Sequence, residues 1–82
     1  MDDATIREKL VRCFSAVFPD LNPDEIESAN IENTSGWDSI AHVTVLTLIG
    51  EEFGINIDFD RFSGAASFEA FVAQLRESAS IH

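Results

Sequence analysis

The sequence predicts an all-α domain: a small bundle of four helices, three main and one short, with a long loop after the first. Three observations carry this. Apolar residues recur at spacings of three and four near both ends of the chain. A connection rich in Pro, Asn and Gly separates the first helix from the second. The one stretch with period-two alternation, Ile55, Ile57 and Phe59, has no convincing partner strand elsewhere in the chain.

The first helix carries Ile6, Leu10, Cys13, Phe14 and Val17 on one face. Glu8 and Arg12 fall on the opposite side as an i, i+4 pair. Phe18 ends the run, because a residue before proline avoids helical geometry. Residues 19 to 37, PDLNPDEIESANIENTSGW, form the long connection. Asn22-Pro23-Asp24-Glu25 can open a single helical turn, with Asn as cap and Pro first. Leu21, Ile26 and Ile31 are spaced to pin the loop onto the core. Loops this long are often functional.

Asp38 or Ser39 begins the second main helix, and either side chain can accept from the free N–H groups of its first turn. The helix runs to about Glu52 and ends at Gly54. Its apolar residues, Ile40, Val43, Val45, Leu46, Leu48 and Ile49, spread nearly all the way round. Such a helix is usually buried. In so small a domain some of these residues must stay exposed, as partner surfaces do. An extended connection then leads to a short helix over 58–63. Ser67 caps the last helix, whose stripe is Phe68, Phe71, Val72, Leu75 and Ala79.

Eighty-two residues make one domain. Such a chain buries only about 60–65% of its unfolded surface, which leaves little room for a deep enzyme cleft. The single cysteine cannot form an internal disulfide, and on the apolar stripe it reads as a buried hydrophobe. No apolar run approaches the ~20 residues of a membrane span. The charged start, MDDATIREKL, is not a signal peptide, so the expected location is cytoplasmic. The formal charge of −10 argues against nucleic acid and anionic membranes. No Lys or Arg lies between Cys13 and Asp60, where ten of the acidic residues lie. That field either solubilises the surface or steers basic partners toward it.

Catalytic and metal chemistry find little support. His42 stands at i+3 from Ser39, but a triad also needs an orienting acid and an oxyanion site; His42 reads as a helix-surface residue and His82 as a terminal one. Asp58 and Asp60 make a weak fragment of a calcium loop and read as a solvated acidic turn. Ser39 is set apart by its place at a helix N-terminus, where the free amides and the helix field favour a phosphate. On physics alone it reads as a helix cap.

Gly36-Trp37-Asp38-Ser39-Ile40 resembles the G-x-D-S-[LI] signature of the acyl carrier proteins, a family that includes peptidyl carrier domains. Glu51-Glu52-Phe53-Gly54-Ile55 follows at the family's usual spacing, and the resemblance covers roughly residues 4 to 79 of a single carrier domain, 1–82. It implies that Ser39 is the attachment point of 4'-phosphopantetheine, transferred from coenzyme A by a phosphopantetheinyl transferase. Asp38 would support that transfer. The carrier would catalyse nothing itself, and would present thioester-bound cargo to acyl-loading, elongating or transferring enzymes. Partners of this family dock on the second helix and the loop before it. Here that means Trp37, Ile40, Ala41, Val43, Thr44, Thr47 and Glu51, with Val45, Leu46, Ile49 and Phe53 facing the core, joined by Leu48.

One departure is informative. Many fatty-acid carriers place acids where this chain has Ala41, Thr44 and Gly50. Docking here should rest more on apolar contact, which speaks against housekeeping fatty-acid synthesis, and Trp37 is more similar to carriers of specialised pathways. The free ends suggest a stand-alone protein, expected to be a monomer. The alternatives are a peptidyl or aminoacyl carrier and an unmodified acidic adaptor of the same fold. A small hydrolase using Ser39 and His42 is a remote third.

Overall fold

The structure, a computed structural model, describes residues 2–62 and 64–79, without the side chains of residues 61, 78 and 79. Five helical segments follow in order: α1 (Asp3–Val17), α2 (Pro23–Glu27), α3 (Ser39–Phe53), α4 (Phe59–Phe62) and α5 (Phe68–Ala79). The three long helices and the short α4 are those the sequence predicts. The turn opened by Asn22 closes into the five-residue α2. His82 and Ser63 lie outside the described residues, as does the side chain of Ala79.

Local chemistry accounts for each boundary. Asp2 caps α1 by accepting from the Thr5 amide at 2.8 Å. Asn22 and Glu25 form a reciprocal capping box around Pro23, so two orphan amides of α2 are satisfied at once. Gly54 closes α3 in the left-handed region, φ +65°, a conformation that favours glycine. Just before it, Gly50 lies where the chain doubles back. A methyl there would sit 3.3 Å from both the Ile55 carbonyl oxygen and Ile57 Cγ1. The segment from Ile55 to Asp58 is extended and unpaired in any ladder, as expected. Ser67 caps α5 by accepting from the Ala70 amide at 3.1 Å.

Helix α1 is the hub, packing against α3, α5 and α2. Phe14, fully buried, sits at the centre of an aromatic cluster. Its ring centroid lies 5.4 to 6.0 Å from those of Trp37, Phe68, Phe71 and Phe18, the range of favourable edge and tilted pairs. Ile6, Leu10 and Cys13 from α1, Val45, Leu46 and Ile49 from α3, and Phe71, Val72 and Leu75 from α5 complete the core. Val17, Leu48 and Phe53 pack at its edge.

Two packing expectations are corrected. Ile26 pins the long loop as predicted, but Leu21 is only partly buried and the Ile31 side chain is 49% exposed. Ala29, Thr34 and Trp37 are the buried anchors instead. Ile31 contributes through its backbone: its amide donates to the Ala66 carbonyl at 2.9 Å, and the Phe68 amide donates to Ala29 at 3.0 Å. These bonds flank a single antiparallel bridge between Asn30 and Ser67 and staple the loop to the α4–α5 turn. The predicted Glu8–Arg12 pair is also replaced, because Arg12 reaches across to Glu52 on α3 at 3.6 Å.

Candidate functional site: the N-terminus of α3

Asp38 and Ser39 have separate roles. Asp38 is the N-cap, with extended backbone and with Oδ1 accepting from the Ala41 amide at 2.8 Å. Ser39 is therefore the first residue inside the helix and not its cap, which corrects the reading from helix physics alone. Its side chain is exposed, and among the described residues its hydroxyl makes no hydrogen bond. The backbone amides of Ser39 and Ile40, at the positive end of the helix, likewise have no partner among the described residues. A phosphodiester on Ser39 Oγ would meet those amides and disrupt no existing bond. The site therefore fits such a group.

Beside Ser39 lies an open cleft of about 310 Å³, lined by Ile31, His42, Val43, Ala65 and Ala66 together with Asp38 and Ser39. Three parts of the chain thus meet here: the end of the long loop, the first turns of α3, and the α4–α5 turn. Periodicity on any one element does not reveal that meeting. Ile31, Ala65 and Ala66 carry no local signal that marks them as cleft wall.

Trp37 departs from the expected docking role. It is 5% exposed, stacked on Phe71 and edge-on to Phe14. Its indole is held in the core against the rings of Phe14, Phe18, His42 and Phe71, because a side chain this large gains most from leaving water. Ala41 is half-buried against the same core, at the margin of the docking face. Ile40 is 78% exposed and Val43 50%. Thr44, Thr47 and Glu51 are exposed along the same helix.

His42 is not a plain surface residue. It is half-buried, its ring lying against Trp37 and Phe71. The Trp37 indole N–H donates to His42 Nδ1 at 3.2 Å, and His42 Nε2 lies 3.2 Å from the Phe62 carbonyl oxygen. Both ring nitrogens are engaged away from Ser39, so the pair lacks the hydrogen bond that joins a nucleophile to its base.

Cys13 is buried, and burial pushes its thiol up to about 11, well outside the range of reactive cysteines. Among the described residues no cluster of His, Cys, Asp and Glu has the arrangement of a metal site. Asp58 instead serves the start of α4, accepting from the Asp60 amide at 3.1 Å. No helix among the described residues is long and apolar enough to cross a membrane.

The family model for the phosphopantetheine attachment site matches residues 8–75, from the middle of α1 to the last turns of α5. The chain belongs to this family of carrier proteins. The family holds 4'-phosphopantetheine covalently on a serine, and its members work with a modifying transferase and with biosynthetic enzymes. Comparison with curated proteins and with solved structures found no match. In this carrier domain the match spans α2, α3 and α4 whole, together with the loop that delivers Asp38 and Ser39.

Proposed function

We propose that Ser39 carries the 4'-phosphopantetheine of this carrier and that the domain presents acyl cargo to partner enzymes of fatty-acid, polyketide or related biosynthesis. The observation that carries this reading is the free, exposed Ser39 hydroxyl on a helix already capped by Asp38. Loading would make Ser39 Oγ the ester oxygen of a phosphodiester as the pyrophosphate bond of coenzyme A breaks, with adenosine 3',5'-bisphosphate as the leaving group and the hydroxyl proton released. Asp38 Oδ1 holds the helix start while Oδ2, which accepts no hydrogen bond among the described residues, is available to the transferase and its metal ion. When bound, the group supplies a thiol on a long arm, on which cargo is held as a thioester.

The domain's own contribution is presentation rather than catalysis. The docking face we assign is Ile40, Val43, Thr44, Thr47 and Glu51, with Ala41 at its edge. Thr44 and Thr47 bond their hydroxyls back to the Ile40 and Val43 carbonyls at 2.9 and 3.0 Å. Their methyl groups are therefore what they chiefly offer a partner. The face is apolar from Ile40 to Thr47 and becomes acidic only at Glu51 and Glu52, which suits a partner surface with an apolar centre and a basic edge.

The test is the intact mass of wild type and Ser39→Ala after incubation with coenzyme A and a broad-specificity transferase. A gain of one phosphopantetheine in wild type alone is the expected result. No gain in folded wild type, with the transferase active on a control carrier, would leave a protein-binding adaptor of the same fold as the better reading.

A further inference from the structure

We infer that His42 is a positioning residue for the Ser39 site, acting as a neutral imidazole protonated on Nε2 that ties the loop before Ser39 to the end of α4. The tautomer follows from donor and acceptor chemistry. An indole N–H can only donate, so Nδ1, 3.2 Å from Trp37 Nε1, must be the bare nitrogen. The ring proton then sits on Nε2, where it points at the Phe62 carbonyl oxygen 3.2 Å away. That oxygen has two lone pairs and also accepts from the Ala65 amide at 3.0 Å.

These bonds form a closed circuit that includes part of the cleft wall. Trp37 leads through His42 to Phe62, Phe62 through its carbonyl to Ala65, and the Ala66 carbonyl to the Ile31 amide at 2.9 Å. Ile31 returns along the chain to Trp37. Four members of the circuit, Ile31, His42, Ala65 and Ala66, line the cleft of about 310 Å³ beside Ser39. The circuit needs its side-chain links, because α4 is only four residues long and cannot hold its shape alone. Phe62 anchors α4 in the core by its side chain. His42 fixes the direction of the Phe62 carbonyl, and with it the turn that carries Ala65 and Ala66. A group leaving Ser39 therefore meets a preset wall.

This role rests on the carrier reading only where loading is measured. A residue that merely filled space would be replaced without effect by a ring of similar size. The positioning role instead requires the bond to Phe62, with the bond to Trp37 setting the tautomer that makes it, and three variants separate the two. His42→Phe keeps a stacked ring with neither bond. His42→Gln places a donor at the ε position for Phe62, and His42→Asn an acceptor at the δ position for Trp37.

The first readout is the nitrogen-15 NMR tautomer of His42 in the full chain at mildly alkaline pH. Wild type should show the Nε2–H form, and Trp37→Phe, which removes the indole donor, should show a mixture of tautomers. The second is amide exchange over residues 59–62 together with the rate of loading from coenzyme A. In His42→Phe, exchange should rise and loading should slow, each by roughly fivefold to tenfold, the scale of one lost hydrogen bond. His42→Gln should restore both, and His42→Asn should not. An Nδ1–H tautomer in wild type overturns the inference, as does a folded His42→Phe with unchanged exchange and loading. Should His42→Phe fail to fold, the wild-type tautomer and the Gln–Asn contrast decide. Wild type that does not load removes the carrier reading, while tautomer and exchange still decide the role of His42.

Discussion

Asp38 and Ser39 are adjacent hydroxyl- and carboxylate-bearing residues, either of which has the chemistry to cap α3. The backbone assigns the cap to Asp38, and this changes where a stability cost should fall. Asp38→Ala should lower stability by about 1 kcal/mol, the usual worth of an N-cap, which for a domain of this size is a drop in Tm of roughly 4–8 °C. Ser39→Ala should stay within about 0.5 kcal/mol of wild type, since its hydroxyl makes no hydrogen bond among the described residues. Paired thermal melts check both; a larger loss in the Ser39 variant would show that the serine holds the helix after all. Trp37 belongs to the same scale. Its truncation to Ala should cost about 3–5 kcal/mol, as for other buried aromatics, a large share of a small domain's total. Urea denaturation of Trp37→Ala measures it, and a loss below about 1 kcal/mol would restore Trp37 to the surface. The sequence placed a Trp beside the signature but did not show which way it points. Its partner His42 is five residues on, a spacing that no helical periodicity pairs.

At the scale of the element, α3 carries the functional argument because it has two uses. Val45, Leu46 and Ile49 are fully buried against α1, while Ile40 and Val43 stand in solvent. The apolar character all round the helix was legible in the sequence, and so was the need for part of it to remain exposed. The division between the two faces agrees with what the family resemblance implies. Val43→Glu should leave the melt within about 1 kcal/mol of wild type, because the new carboxylate reaches water. It should weaken docking to any partner that uses this face. Native chromatography and a melt of the variant test the first part: unfolding would mean that Val43 is buried. The loop before α3 was less legible. Its single helical turn could be read from Asn22, Pro23 and Glu25, since the capping box is local. The staple from Ile31 to Ala66 joins residues thirty-five positions apart by backbone alone, and backbone bonding leaves no mark on side-chain pattern.

Over the whole molecule, charge is divided between two regions. Arg7 donates to both carboxylate oxygens of Glu69 at 2.7 and 2.8 Å, and Arg76 does the same to Asp3 at 2.8 Å. Lys9 lies over the Phe53 ring. The described basic side chains are thus occupied where α1 meets its neighbours, reaching Glu27 on α2 and Glu52 at the end of α3, and the other acidic side chains of the long loop and of the ends of α3 have no basic partner among the described residues. Arg7 holds the Glu69 carboxyl below its ordinary range, by hydrogen bonding first. A carboxyl whose pKa is lower folded than unfolded stabilises the fold above the unfolded value, near 4.3. That contribution is lost as pH falls through the folded value, where the unfolded chain binds the proton first. Glu69→Gln should therefore flatten the low-pH limb of the stability curve; the effect is small because the pair is exposed. A limb unchanged from wild type in acid titration would remove the pair from the account. Salt should act in the opposite direction from its usual effect on ion pairs. With 15 acidic residues against 5 basic, screening of self-repulsion outweighs screening of the pairs, so Tm should rise with added sodium chloride. A falling Tm would show that the pairs dominate.

The sequence by itself determined the helical segments, their stripes and most of their ends, because periodicity, capping and proline geometry act within a few residues. It also carries the signature around Ser39, in which the family resemblance is visible from residues 36–40. Only the tertiary structure decided which of Asp38 and Ser39 caps the helix and that Trp37 is buried. It alone showed that His42 spans from Trp37 to Phe62, and that Ile31, Ala65 and Ala66 form one wall beside the serine. The cap depends on where the loop backbone enters α3; the others depend on residues brought together from separate elements, whose meeting is set by packing and not by any local pattern.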